Sequence, residues 1–405
     1  MSMFRAFCFA FREYLHLYGT AWVAPRHYRP GKWHQRAFVL LAFFPLVFTV
    51  QMIHWVAFLL DEVLFPDYRR VSVRKPVFIA GTPRAGTTLL HHTLARHRAF
   101  TTFSTWESLF APAIIEKKLL LGLFRLDDHL GAPLAKLISY AEHRLNRYFH
   151  AYHPISLRDP EEDFLVLLPV FGCFLLFVPF PHSLPLWRLA FFDELVDMQR
   201  RQRILDFYHR CIQKHLFVFG DGQRRFLSKN ASFASWLTAL HQRYPDAFLI
   251  TCVREPHQAL ASQLASLEQS MLFFGHRWPN SHLTQRFLLM FVTNYQYILT
   301  ARQGLPEDQF TVVKLSSLQT DFLTQILQLY QRLDLTPTAE DHHANKAAAQ
   351  RVRNYRSAGH YSLEDFGIEG NIVHDQIRIL YQASCHEHDT LQALPTTARP
   401  QIEHI

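Results

Sequence analysis

The chain has 405 residues, 49% of them hydrophobic, and its 42 Lys and Arg against 34 Asp and Glu give a formal charge of +8. Such a length accommodates one large core with appended elements, and the positive balance suits an anionic ligand or an acidic membrane surface. Basic residues scattered without an RNA-binding or helix-turn-helix signature argue against nucleic acid as a partner. Five distant cysteines (Cys8, Cys173, Cys211, Cys252, Cys385) argue against a disulfide framework, and histidine pairs without zinc-helix spacing (His91/His92, His342/His343) against a metal. Cysteine usage fits a reducing compartment.

Three regions follow from the patterning: a basic arm with a hydrophobic segment over 1–70, an α/β domain over 71–371, and a C-terminal helix with a polar tail over 372–405. From Ala37 to Leu60 there is no Asp, Glu, Lys or Arg, a run long enough to cross a bilayer. It starts late and is followed by Asp61, Glu62 and a basic stretch, unlike a cleaved signal peptide, so it belongs to the mature chain. Arg26, Arg29, Lys32 and Arg36 precede it, and Arg69, Arg70, Arg74 and Lys75 follow it. Positive-inside logic therefore assigns no direction. Spanning, a monotopic hairpin broken at Pro45 and a helix packed on the protein's own core all stay open. A second apolar run, Phe164 to Phe180, is interrupted by Pro169, Gly172 and Pro179 and reads as a lid or pocket wall.

Val77 to Ala80 reads as a strand ending in Gly81, with a helix from Thr87 to about Arg98. Leu216 to Phe219, Phe248 to Val253 and Phe310 to Val313 read as further buried strands, with helical patterns between them. The expected fold is α/β, a P-loop-like parallel sheet flanked by helices, with an N-terminal hydrophobic, membrane-associated helical segment.

Gly81-Thr82-Pro83-Arg84-Ala85-Gly86-Thr87-Thr88 joins strand to helix with two glycines four residues apart, the spacing that lets a loop wrap a phosphate. A nucleotide triphosphatase places Lys after the second Gly; Thr87 stands there instead, and Arg84 is the loop's cation. Its guanidinium fork suits phosphate or sulfate oxygens. A second cation, Arg254, follows the strand ending at Val253, and Ser262 lies on the helix beyond it, at the strand end where α/β folds hold ligands.

The loop resembles the 5′-phosphosulfate loop of sulfotransferases that use 3′-phosphoadenosine 5′-phosphosulfate (PAPS). The likeness extends through Trp106-Glu107, Asp159-Pro160-Glu161-Glu162-Asp163, Lys229-Asn230-Ala231 and His360 to Gly367, covering roughly residues 60–370. It implies a PAPS-dependent enzyme that needs no metal. Arg84, Ala85, Gly86, Thr87 and Thr88 would hold the 5′ end of the donor, and Arg254 with Ser262 the 3′-phosphate. Lys229 is either a contact to the donor or an ordinary surface charge. Arg84 would stabilise the leaving group, and Glu107 would take the acceptor's proton, with His91 as competitor. Glu161 and Glu162 suit a cationic acceptor or a helix cap. Ala85 replaces a common Ser, and Val313 to Leu318 lacks a frequent Tyr-Glu-Asp.

The acceptor is expected to be a hydroxyl or amine on a lipid-like or glycan molecule, a reading motivated by 36 Phe and the apolar segment. Membrane lipids are expected partners, with the catalytic domain cytoplasmic. Asn230-Ala231-Ser232 matches a glycosylation sequon and keeps a Golgi-type lumenal placement open. A P-loop kinase or nucleotidase and a non-catalytic membrane scaffold are the competing readings.

Overall fold

Described in the computed structural model are residues 3–24, 33–148, 156–354, 361–368 and 373–385. Arg26, Arg29, Lys32, His360 and the polar tail after Cys385 lie outside them. In chain order the elements used below are α1 (Met3–Trp22), α2 (His34–Leu64), β1 (Val77–Gly81), α3 (Thr87–Leu94), β2 (Phe100–Thr101) and α4 (Thr105–Phe110). There follow α5 (Ile114–His129), α6 (Pro133–Tyr148), α7 (Met198–Phe219), β3 (Arg225–Lys229), β4 (Phe248–Val253), α8 (Pro256–Phe273), α9 (Ser281–Gly304), β5 (Phe310–Lys314) and α10 (Val373–Cys385).

All five strands run parallel in the order β2-β3-β1-β4-β5. β1 is buried along its whole length between β3 and β4, which is why Val77-Phe78-Ile79-Ala80 is continuously apolar rather than alternating. The chain leaves β1 towards β2 on one side and reaches β4 on the other, so the crevice beyond the carboxyl end of β1 is the topological switch point.

One expected strand is a helix. Leu216 to Phe219 forms the last turn of α7, whose buried Ile204, Tyr208, Cys211, Ile212, His215 and Leu216 keep a helical period to the end. The missing strand is β3, which sequence patterning overlooks because two of its buried residues, Ser228 and Lys229, are polar.

The apolar segment also differs from expectation. Pro45 does not break α2. A π-helical turn over Val39–Phe43 moves the hydrogen bonding to i−5, with Phe44 N–H donating to Val39 O, and Pro45 falls in the first turn of the following α-helical stretch. The segment is long and apolar enough to cross a membrane, yet one side is packed on the protein. Trp55 and Phe58 are buried, and Trp55 Nε1 donates to Pro169 O at 3.0 Å. Phe164 to Phe180 is accordingly neither lid nor pocket wall. It forms two 3-10 helices, Asp163–Val170 and Phe174–Phe177, in the same hydrophobic core as α1 and α2.

Candidate active site

The loop between β1 and α3 is tight for a steric reason. Gly81 has φ +137°, and a Cβ there would lie 2.1 Å from Cys252 O on β4. Gly86 has φ +88°, and its Cβ would meet Leu315 Cδ1 at 2.8 Å. Between them Arg84 itself holds a left-handed backbone, φ 64°, which few non-glycine residues adopt outside functional turns. Ala85 is fully buried against the sheet, and Thr87 opens α3 with Thr88 beside it.

The two expected anion-binding halves meet at this loop. Arg84 Nε donates to Ser262 Oγ at 3.1 Å, and Arg254 Nη1 donates to Arg84 O at 3.4 Å. Arg254 leaves the end of β4 just before Pro256 starts α8, and the Glu255 side chain caps that helix by accepting from Gln258 N–H. The Tyr295 hydroxyl, from α9, donates to Arg254 O and fixes the turn from behind. Nothing in the sequence marked Tyr295 for this task.

At the end of β3, Lys229 Nζ donates to Glu162 Oε1 at 2.7 Å. The acidic stretch is pinned over the crevice by backbone bonds: Glu161 N–H to Phe103 O at 3.0 Å, Thr105 N–H to Asp159 O at 3.1 Å and Trp106 N–H to Leu157 O at 2.9 Å. His92 Nε2 lies 3.2 Å from Pro160 O. Below, Asp163 accepts from the Tyr208 hydroxyl and from Lys229 N–H, and burial pushes its carboxyl up to about 7. This Tyr208–Asp163 support was also missed, because Tyr208 sits within an ordinary helical apolar stripe.

Glu107 lies elsewhere. Its carboxylate is buried beside the edge strand β2, where His215 Nδ1 donates to it at 2.6 Å and Lys117 Nζ stands 3.2 Å away. His215 Nε2 is in turn 2.7 Å from Thr101 Oγ1 of β2. Burial alone would raise the carboxyl's pKa, but His215 and Lys117 outweigh it and hold Glu107 below its usual range. A carboxylate walled in and neutralised in this way is a feeble proton acceptor, which argues against the expected base.

His91 is on α3, fully buried, with Nε2 2.7 Å from Thr102 Oγ1. Burial first, then the charges of Lys229 and His92, push its pKa well down, so it is neutral. Its Nδ1 is buried without a hydrogen-bond partner, as is Asn230 Nδ2 at the end of β3. Orphaned polar atoms flanking a glycine-walled loop, with two guanidiniums converging there, fit a polar anionic ligand such as the nucleotide donor. Among the described residues no cluster of His, Cys, Asp and Glu has metal-binding geometry.

Comparison with known proteins identifies the family and the fold. The protein-family model described as "Sulfotransferase family" matches residues 76–340. Sulfotransferase STF1 from Mycobacterium tuberculosis H37Rv superposes with a TM-score of 0.67 at 18% identity, covering 90% of this chain and 91% of that one. Sulfotransferase STF9 from Mycobacterium avium superposes with a TM-score of 0.65 at 16% identity, covering 87% of this chain and 85% of that one. At these identities the likeness speaks for the fold. No curated protein sequence matches the chain.

Proposed function

The chain belongs to the sulfotransferase family, whose model covers well over half of it, and on that premise we propose that it transfers a sulfuryl group from PAPS to an acceptor hydroxyl or amine. The observation that carries this reading is the convergence of Arg84, Ser262 and Arg254 at one loop. Arg84 with Ala85, Gly86, Thr87 and Thr88 would hold the 5′-phosphosulfate end, and Arg254 with Ser262 the 3′-phosphate. The bound donor supplies an activated sulfuryl group, which passes to the acceptor oxygen or nitrogen as its bond to the bridging phosphate oxygen breaks. Arg84 neutralises the charge that grows on that bridging oxygen.

The acceptor's proton needs a base reachable from the crevice. Glu162 has a partly exposed carboxylate at the end of β3, paired with Lys229, and suits that role better than Glu107 does. Glu107 acts instead as a buried anchor for α5 and α7, while His91 positions the start of the loop's helix and Lys229 sets the orientation of Glu162. The acceptor is read as amphiphilic or carbohydrate-containing, and the enzyme as membrane-associated with its catalytic domain cytoplasmic. Five free cysteines are consistent with that placement.

Calorimetric titration of the detergent-solubilised protein with 3′-phosphoadenosine 5′-phosphate, against ATP with and without Mg²⁺, tests the proposal. Selective binding of the former, weakened by Arg84→Ala and by Arg254→Ala, is the expected result. Preference for Mg²⁺-ATP would return the kinase or nucleotidase reading, and absence of any nucleotide binding the scaffold reading.

A further inference from the structure

The membrane-associated reading leaves open how the chain meets a bilayer, and α2 answers from its two faces. One face is committed to the protein. Asp61, fully buried, pairs with Lys214 Nζ at 2.8 Å and accepts Ile114 N–H at 2.7 Å and Ile115 N–H at 3.0 Å. His54 Nδ1 lies 2.6 Å from Glu116 Oε1. For α2 to cross a bilayer, lipid would have to displace the protein from this face and strand His54, which lies within the charge-free run, among acyl chains without its Glu116 and Leu109 partners.

The opposite face carries Leu41, Leu46, Ile53, Val56, Leu60 and Val63, each 43–77% exposed. At about 1.5 Å per residue that stripe is roughly 33 Å long. It bears no charged residue, and a contiguous apolar strip of this kind marks an interaction surface. α1 lies alongside, joined through Phe7–Trp55 and Phe11–Phe48 ring contacts with centroids 5.6 and 5.8 Å apart, and widens the face with exposed Phe4 and Leu15. On the flank of α1 three arginines gather about Phe9: Arg5 and Arg12 line the same hollow, and the Arg203 guanidinium sits 4.4 Å from the ring centroid.

We infer that α1 and α2 lie in the plane of one leaflet of an anionic lipid bilayer, with the α2 stripe among the acyl chains and Arg5, Arg12 and Arg203 at headgroup phosphates. This refines the membrane-associated reading above and does not depend on which donor or acceptor the site takes. An uninterrupted apolar band edged on one side by guanidiniums matches the layering of a lipid surface, apolar interior beside anionic headgroups. A protein partner would have to present an equally long charge-free band with acidic groups along one border.

Two measurements test it on the full chain. The protein should float with vesicles of phosphatidylcholine and phosphatidylglycerol in a two-to-one ratio, and at least about tenfold less with phosphatidylcholine alone. Val56→Glu with Leu60→Glu should abolish flotation while thermal melting and 3′-phosphoadenosine 5′-phosphate binding stay unchanged; nucleotide binding thus reports the donor site separately. For topology, cysteines at His16 and Arg70 are introduced with Cys8→Ser and Cys385→Ser, and the protein is reconstituted into sealed vesicles. An impermeant maleimide should then give molecules bearing two labels or none, because both positions share one side of the bilayer. Molecules with one label each would show that α2 crosses. Failure to float, or a solution dimer that the double glutamate variant dissolves, would equally overturn the inference.

Discussion

Arg84 and Ser262 are 178 residues apart in the chain and joined by a 3.1 Å hydrogen bond from the guanidinium Nε to the serine hydroxyl. The bond crosses from the loop after β1 to the helix after β4, so the two proposed anion-binding halves form one unit. Ser262→Ala should lower affinity for 3′-phosphoadenosine 5′-phosphate roughly tenfold, about 1–1.5 kcal/mol, with little change in melting temperature. An unaltered dissociation constant by calorimetry would remove Ser262 from the site.

Gly86→Ala puts a Cβ 2.8 Å from Leu315 Cδ1 at a φ of +88°. Leu315 can shift, but the left-handed backbone remains strained, at a cost of about 1–2 kcal/mol. Donor binding should weaken more than stability falls. Equal losses in a nucleotide titration and a denaturant melt would mean that the loop serves the fold alone.

Lys214 and Asp61 are both fully buried and 2.8 Å apart. Lys214→Met leaves an uncompensated carboxylate in the core and should destabilise the protein by roughly 3–5 kcal/mol in urea unfolding. A loss below about 1 kcal/mol would show that water reaches Asp61.

The two glutamates are predicted to separate. Glu162→Gln should reduce kcat by about 10²–10⁴ and remove the acid limb of the pH–rate profile, as loss of a general base does. Glu107→Gln should instead lower stability by a few kcal/mol, since Lys117 loses its buried charge partner, and should leave the acid limb in place. The reverse pattern would restore Glu107 as the base.

Burial raises the Asp163 carboxyl from 3.8 to about 7. A raised acid penalises the folded state when ionised, so that penalty is fully present above about pH 7 and fades as pH falls towards the unfolded value. Wild-type protein should therefore gain melting temperature from this group between about pH 8 and about pH 5, and Asp163→Asn should flatten that dependence. A parallel shift of the two curves would assign the effect to another group.

What could be read from the sequence divides along a physical line. Local features were legible: the run Val77 to Ala80, the glycine spacing around Arg84 and the Arg254 turn all announce themselves through contiguous residues. β3 was not, because a buried strand that sets Ser228 against the Tyr208 hydroxyl on one face and Lys229 towards Glu162 on the other loses its apolar signature. The strand assigned instead to Leu216–Phe219 shows the converse, four apolar residues whose helical phase is visible only from Ile204 onward. Glu107 was assigned by the family resemblance, which says nothing of Lys117 and His215 closing over its carboxylate here. The segment after Phe164 reads as a lid or pocket wall because prolines interrupt it, yet 3-10 turns bury most of those same residues.

The pairing of Asp61 with Lys214 also sets an order on synthesis. Synthesis delivers α1 and α2 before α7, and the lysine that neutralises Asp61 follows it by 153 residues. Until α7 emerges, Asp61 lacks that partner, and the apolar side chains of α1 and α2 lack the sheet and helices that bury them in the finished fold. Early contact with lipid would shelter the α2 stripe and hold the opposite face open for the arriving sheet and helices, so the bilayer would act on this chain as a folding template as well as a resting place.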